Sequence, residues 1–304
     1  MLDVAVIDRW LMAPAPAARL AVFRIAIGVF SFGYLVVRFP VMWSMGDEAR
    51  VAWEPAGVLW WLSDPLPRWV LHTVVLLSIA LAAVFAAGVA FRLIGPAFAV
   101  ALLFVTTYRS SGGQLLWFDD LLVLHTIVIG SSHAGDALRP GRRGRGGRED
   151  DHARYGWPLH IAALVTVVTY ALAGVAKLRI GGAGWLDGNS LRNHLAYSAT
   201  RLRVLGGSPS PLAGPMMDVG WLFTPVAVAT LLLELGAPLV LVAPRLRVPW
   251  VVLVWCMHAA IASTMFVVFP YPLSLVAFAP LFRLEQLLPA SRNEVAAPPA
   301  AAGP

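Results

Sequence analysis

Charge is what this sequence is short of: 13% of its 304 residues are Asp, Glu, Lys or Arg, against about 25% in ordinary water-soluble domains. A water-facing surface needs more polar cover than that, so a soluble globule is excluded. A single cysteine, Cys256, excludes an intrachain disulfide and any cysteine-based metal cluster. Lysine is almost missing as well, Lys177 being the only one among 23 basic residues. The sequence has no P-loop, no Rossmann glycine pattern, no His-Glu-x-x-His and no nucleophile elbow. The glycine-rich run at 181–184 lacks the Lys-Ser/Thr that a phosphate loop requires. No internal repeat is visible, which counts against the repeat-built transporter folds.

What the chain does have is apolar length. Hydrophobic residues make up 59% of it and the mean hydropathy is +0.72, so a bilayer must be its solvent. Apolar segments lie at about 18–39, 69–90, 93–108, 114–131, 157–177, 219–243, 248–269 and 271–287, the third and last short enough to be buried or re-entrant. The expected fold is therefore all-α: a polytopic integral membrane protein, a bundle of about eight transmembrane helices with two longer outer loops carrying short helices. Residues 1–17 read as an interfacial segment rather than a signal peptide, because no basic region precedes the apolar stretch. Residues 18–287 form the membrane domain and 288–304 a tail with no apolar periodicity, expected to be disordered.

Orientation follows from the arginines. The loop at 132–156 contains Leu138-Arg-Pro-Gly-Arg-Arg-Gly-Arg-Gly-Gly-Arg148, and the positive-inside rule assigns it to the cytoplasm. Counting from there puts both termini inside and the Trp-bearing stretches 40–68 and 178–218 outside. The net charge of +6 thus reads as topology rather than nucleic-acid binding.

Ionisable groups in such segments cost at least about 2.5–3.5 kcal/mol at mid-membrane, so they face the bundle and carry a partner or a function. Glu234 and His258 fall near the middle of their segments, Arg24 nearer the inner surface, and Asp119, Asp120 and His125 in the fourth segment. Each has a bland alternative: a polar lock between helices for Glu234 and His258, snorkelling or pairing with an acid for Arg24. Adjacent carboxylates diverge by about 100° on a helix, so one of Asp119 and Asp120 can cap the helix or pair with Lys177 while the other meets solvent. Lys177 sits at the outer end of the fifth segment. There it is either a snorkelling lysine or, partly desolvated, a deprotonatable amine that arginine cannot replace.

The stretch Tyr170-Ala-Leu-Ala-Gly-Val-Ala-Lys-Leu178, followed by Trp185-Leu-Asp-Gly188, resembles the lysine-bearing motif of the vitamin K-dependent gamma-carboxylase family and its bacterial relatives, the HTTM membrane domains. Phe23-Arg24-Ile25, Leu231-Leu-Leu-Glu-Leu-Gly-Ala-Pro238 and the His258 segment running to Phe269-Pro270 are similar to other parts of the family. The resemblance implies quinol chemistry on the outer side of the bundle. A reduced naphthoquinone (vitamin K or menaquinol) is deprotonated by a lysine and reacts with O2 to give a strong base and an epoxide. That base removes a glutamyl proton, and CO2 adds. On this resemblance Lys177 is the base, with His258 and Glu234 catalytic and Asp119, Asp120, His125, Trp185 and Arg24 lining the pocket; no metal is implied. It also implies a bacterial plasma membrane, with the lipid bilayer, a quinone and an unidentified peptide or small molecule as partners. The carboxylases carry a large domain after the bundle, whereas this sequence ends soon after its last apolar segment. A non-catalytic lipid- or quinone-binding, transport or scaffold protein therefore stays open, as does a proton-coupled transporter.

Overall fold

In the computed structural model, residues 4–45, 53–113, 117–141 and 151–288 are described. Among them every regular element is helical. Five helices are long and apolar enough to cross a bilayer: α2 (Ala17–Ser44), α3 (Arg68–Ala87), α4 (Phe91–Ser110), α6 (Ala153–Gly181) and α12, Arg247–Met265, counted with the turn before it. Two shorter apolar helices, α5 (Asp120–Gly130) and α10 (Phe223–Leu235), complete the bundle. The short pieces are α1 (Val4–Leu11), α7 (Ala183–Leu186), α8 (Asn189–Val204), α9 (Ala213–Asp218), α11 (Leu239–Val242) and α13 (Pro270–Leu273).

The expected all-α membrane class holds, while the expectation of about eight long crossings is redistributed. The third segment, read as short, is the full helix α4 of 20 residues. The sixth breaks into α10 and α11 at Gly236-Ala237-Pro238, where proline cannot continue the helical hydrogen bonding and disfavours helix in the residue before it. The last segment is not a membrane helix. Pro270, Pro272 and Pro280 reduce it to α13 and a 3-10 turn at Val276–Leu281, with Tyr271, Phe278 and Leu281 buried, so the buried option applies there. Residues 142–150 of the arginine loop and nearly all of the tail lie outside the described residues.

Neighbours pack in chain order, α2 on α3, α3 on α4, α4 on α5, α5 on α6, and then α6 on α10 and α10 on α12. Where lipid gives no hydrophobic drive between helices, close backbone approach does this work, and small residues permit it. A Cβ on Gly95 of α4 would lie 2.3 Å from the carbonyl oxygen of Gly130 in α5, and one on Gly28 of α2 would lie 2.6 Å from Cβ of Ala86 in α3.

One end of the bundle gathers α1, the 88–90 turn, the 131–138 loop and the start of α6. Arg24, fully buried, does not snorkel and pairs with no acid among the described residues. Its guanidinium donates to the carbonyls of Ala134 (2.6 Å), Ala137 (3.1 Å) and Leu138 (2.7 Å). Gly88, at φ +74°, ends α3 in the left-handed region and leaves the space that the guanidinium fills, since a Cβ there would sit 2.4 Å from Nη1. Arg24 thus locks the end of the bundle opposite Lys177. Nearby, Arg19 holds Glu285 through two hydrogen bonds of 2.6 and 2.7 Å, tying the turn at Leu284–Leu287 to α2.

Replacing Gly95 by leucine should lower stability by about 1–3 kcal/mol through overpacking against the Gly130 backbone. Thermal melts in detergent measure this, and a Gly95→Leu protein melting with the wild type would show that α4 and α5 do not cross there.

Candidate functional site

Helix α6 spans 29 residues, about 43 Å at 1.5 Å per residue, which is longer than a ~30 Å hydrocarbon layer is thick. Tyr170, Gly174 and Lys177 follow one another at spacings of four and three on this helix and therefore share one face. Gly174 is the reason that another helix fits there. A Cβ on it would lie 3.0 Å from Cγ of Leu235 and 3.1 Å from Cβ of Glu234, so α10 comes down almost on the α6 backbone.

That approach brings Glu234 to Lys177. The ammonium Nζ donates to Oε1 of Glu234 at 2.5 Å, with the Lys177 side chain 23% exposed and the Glu234 side chain 5%. Trp185, from the short helix α7, lies with its ring centroid 5.3 Å from Nζ and packs against Ala227 and Leu231 of α10. An ammonium over an indole face gains cation–π attraction on top of the ion pair. Gly181 leaves room for the indole, since a Cβ there would be 2.1 Å from Trp185 Cδ1.

Two turns earlier on the same face, the Tyr170 hydroxyl meets Nε2 of His258, on α12, at 2.8 Å. Aromatic rings enclose this pair: Trp250 edge-on to Tyr170 at 5.3 Å, Phe278 stacked on Tyr170 at 6.0 Å and Phe269 at 4.8 Å from the imidazole. Trp250 is itself fixed by donating its indole N–H to the carbonyl of Leu233, one residue before Glu234. Trp250 thus touches both pairs, edge-on to Tyr170 and bonded to the residue before Glu234.

Two buried polar atoms in this cluster have no hydrogen-bond partner among the described residues: Oε2 of Glu234 and Nδ1 of His258. Nε of Arg24 and Oγ of Ser31 are orphaned too, each on its own. Leaving a polar group buried and unpaired costs about 1–3 kcal/mol, so a pair of them in one neighbourhood is a standing invitation to a ligand or water.

Of the residues singled out by sequence, Lys177, Glu234 and Trp185 come together, while His258 meets Tyr170 two turns earlier on α6; Glu234 reaches its partner from the last turn of α10 rather than from mid-helix. Asp119 does not pair with Lys177. It accepts from the Tyr34 hydroxyl (2.7 Å) and from Arg109 (3.2 Å), joining α2 and α4 to the start of α5, while Asp120 is exposed. His125 is fully buried in a separate lock: Nε2 faces the carbonyl of Ala162 at 3.0 Å and Nδ1 the Tyr271 hydroxyl at 2.8 Å. A carbonyl only accepts, so Nε2 carries the proton and Tyr271 donates to Nδ1. Tyr170, Trp250 and Phe269 were not recognised as site residues. The four-three spacing of Tyr170, Gly174 and Lys177 was the available signal; nothing local announces Trp250 or Phe269.

Among the described residues no three His, Cys, Asp or Glu side chains gather to hold a metal ion. An apolar groove between α3 and α4, lined by Val74, Leu81, Pro96 and Phe104 with Arg92 at its rim, shares no residue with the Lys177 cluster.

The bundle and this cluster define a polytopic helical membrane protein with an ion-paired polar centre close to one end of its helices. The chain belongs to the HTTM domain family, whose description matches residues 12–286. No curated protein and no solved structure matches it.

Breaking the pair should cost unequal amounts according to which charge is stranded. Lys177→Met leaves the Glu234 carboxylate buried without a counter-ion and should cost about 3–5 kcal/mol, the range for a stranded buried charge. Glu234→Gln leaves an ammonium that is 23% exposed and reaches water or headgroups, so its loss should be smaller. Equal losses of melting temperature in the two variants would mean that the carboxylate is hydrated.

Proposed function

We propose that this HTTM protein is a membrane enzyme performing acid–base chemistry on a lipid-soluble hydroxyl compound, a reduced naphthoquinone in the reading that the family resemblance supports. The observation that carries this is the Lys177–Glu234 pair, with one carboxylate oxygen left buried and unbonded beside aromatic side chains. A reduced naphthoquinone fits these residues: Glu234 Oε2 accepts from a hydroxyl, His258 offers a second polar atom, and Tyr170, Trp250 and Phe269 suit a flat apolar ring. When bound, that group supplies the reductant which, with O2, yields a base strong enough to take a carbon-bound proton before CO2 adds.

The chain's own part is to move one proton and keep water out. The resemblance assigns the base to Lys177 alone, but at 2.5 Å the amine and the carboxylate act together. If the pair rests as ammonium and carboxylate, the substrate proton arrives on Oε2 of Glu234. If it rests as amine and carboxylic acid, the proton arrives on Nζ of Lys177. Both routes end with a protonated Glu234 and a Lys177 ammonium, which then favours negative charge on the group that gave the proton. The base is the pair, so neither member is dispensable. The aromatic walls exclude water, which strengthens these interactions.

A second reading has its own support. The same two polar pairs tie α6 to α10 and to α12, as a non-catalytic lipid- or quinone-binding, transport or scaffold protein would need. Purified protein supplied with reduced menaquinone and O2 separates the two. Quinone epoxide is expected by mass spectrometry, falling at least about 100-fold in both Lys177→Ala and Glu234→Gln, the usual scale of lost acid–base catalysis. Native turnover in Lys177→Ala removes the acid–base reading, and the absence of epoxide under all conditions favours the scaffold.

A further inference from the structure

The Tyr170–His258 contact decides which nitrogen of His258 carries the proton. If Nε2 carried it and donated to the phenol, the Tyr170 proton would be left buried with no acceptor, since His258 is its only hydrogen-bond partner among the described residues, and Nδ1 would be left as an unpaired acceptor. If Tyr170 donates to Nε2, the phenol is satisfied and a single orphan remains, an N–H at Nδ1. The second arrangement strands one group fewer in an enclosure where each stranded group is costly. His125 shows the opposite case within the same bundle: a backbone carbonyl at its Nε2 puts the proton there.

We propose that Tyr170 is a positioning residue that locks His258 as the Nδ1–H tautomer, and that this N–H is a hydrogen-bond donor to an oxygen atom of the bound ligand. The site is thereby polarised. It offers one acceptor, Oε2 of Glu234, and one donor, Nδ1–H of His258, so it takes a ligand that presents an ionisable hydroxyl to the first and a second oxygen to the other. The ligand half of this inference rests on the acid–base reading above; the tautomer half does not.

The test has two arms. In protein labelled with nitrogen-15 at histidine and reconstituted in bilayers, with the His258 signals assigned by their loss in His258→Asn, the Nδ1 resonance should be that of an N–H nitrogen and Nε2 that of a bare one. Tyr170→Phe should shift the balance toward Nε2–H. A wild-type His258 protonated at Nε2, or a Tyr170→Phe protein with an unchanged tautomer, overturns the proposal.

The second arm titrates 2-methyl-1,4-naphthohydroquinone anaerobically, following tryptophan fluorescence. Tyr170→Phe should bind it about fivefold to tenfold more weakly, the worth of one hydrogen bond. In His258→Asn the amide nitrogen stands as many bonds from Cα as Nδ1 does and needs no partner to be a donor, so adding Tyr170→Phe to it should change affinity little. An equal loss in both backgrounds means that Tyr170 only supports packing and overturns its positioning role. No binding of the probe by the wild type removes the naphthoquinol reading, and the nitrogen spectra then judge the tautomer alone.

Discussion

Burying a charged pair in a bundle with little water is costly, and the region around Lys177 and Glu234 is arranged to bear that cost. The attraction between the two groups offsets their desolvation only when geometry is close and other polar atoms are satisfied. Closeness comes from Gly174, where α6 offers no side chain to hold α10 away. Further support comes from Trp185, whose ring covers the ammonium, and from Trp250, whose indole anchors the α10 carbonyl beside Glu234. Helix packing and site chemistry here share one cause, the absence of a Cβ at a single position.

The remaining buried polar groups divide by how completely they are bonded. Arg24 gives both terminal nitrogens to three carbonyls and leaves only Nε unbonded, Asp119 has a phenol on one oxygen and a guanidinium on the other, and both nitrogens of His125 are engaged. Such groups specify which helices meet and offer little to a ligand. Glu234 and His258 each commit one atom to the fold and withhold another.

Much of this was legible in the sequence because lipid imposes a strict rule on composition. Apolar length located α2, α3, α4 and α6, and the scarcity of charge made each intramembrane ionisable group conspicuous. What composition cannot express is pairing. Lys177 is 57 residues from Glu234, and no local pattern distinguishes that partner from Asp119, which has its own satisfied contacts on α2 and α4. Glu234 sits in the last turn of α10 rather than in mid-helix because the helix stops at Gly236-Ala237-Pro238, a break that apolar continuity into Leu239–Val242 hides in the sequence. Arg24 looked like a pocket residue for a related reason. Its partners are backbone carbonyls, which every sequence possesses and none advertises.

Tyr170 and Tyr271 each place a hydroxyl on a buried histidine, yet the two histidines differ in what lies on their other nitrogen: a carbonyl for His125, nothing for His258. A phenol is only a donor to an imidazole nitrogen that has no proton of its own, so the same residue type fixes opposite tautomers according to which nitrogen it meets. At His125 the resulting N–H is consumed by the backbone, and the imidazole becomes a strut. At His258 it is left over, on the residue that Tyr170 holds two turns along α6 from Lys177. A donor and a cation near one unbonded carboxylate oxygen together favour negative charge on a ligand and provide a place for its proton, which an inert strut would have no reason to combine.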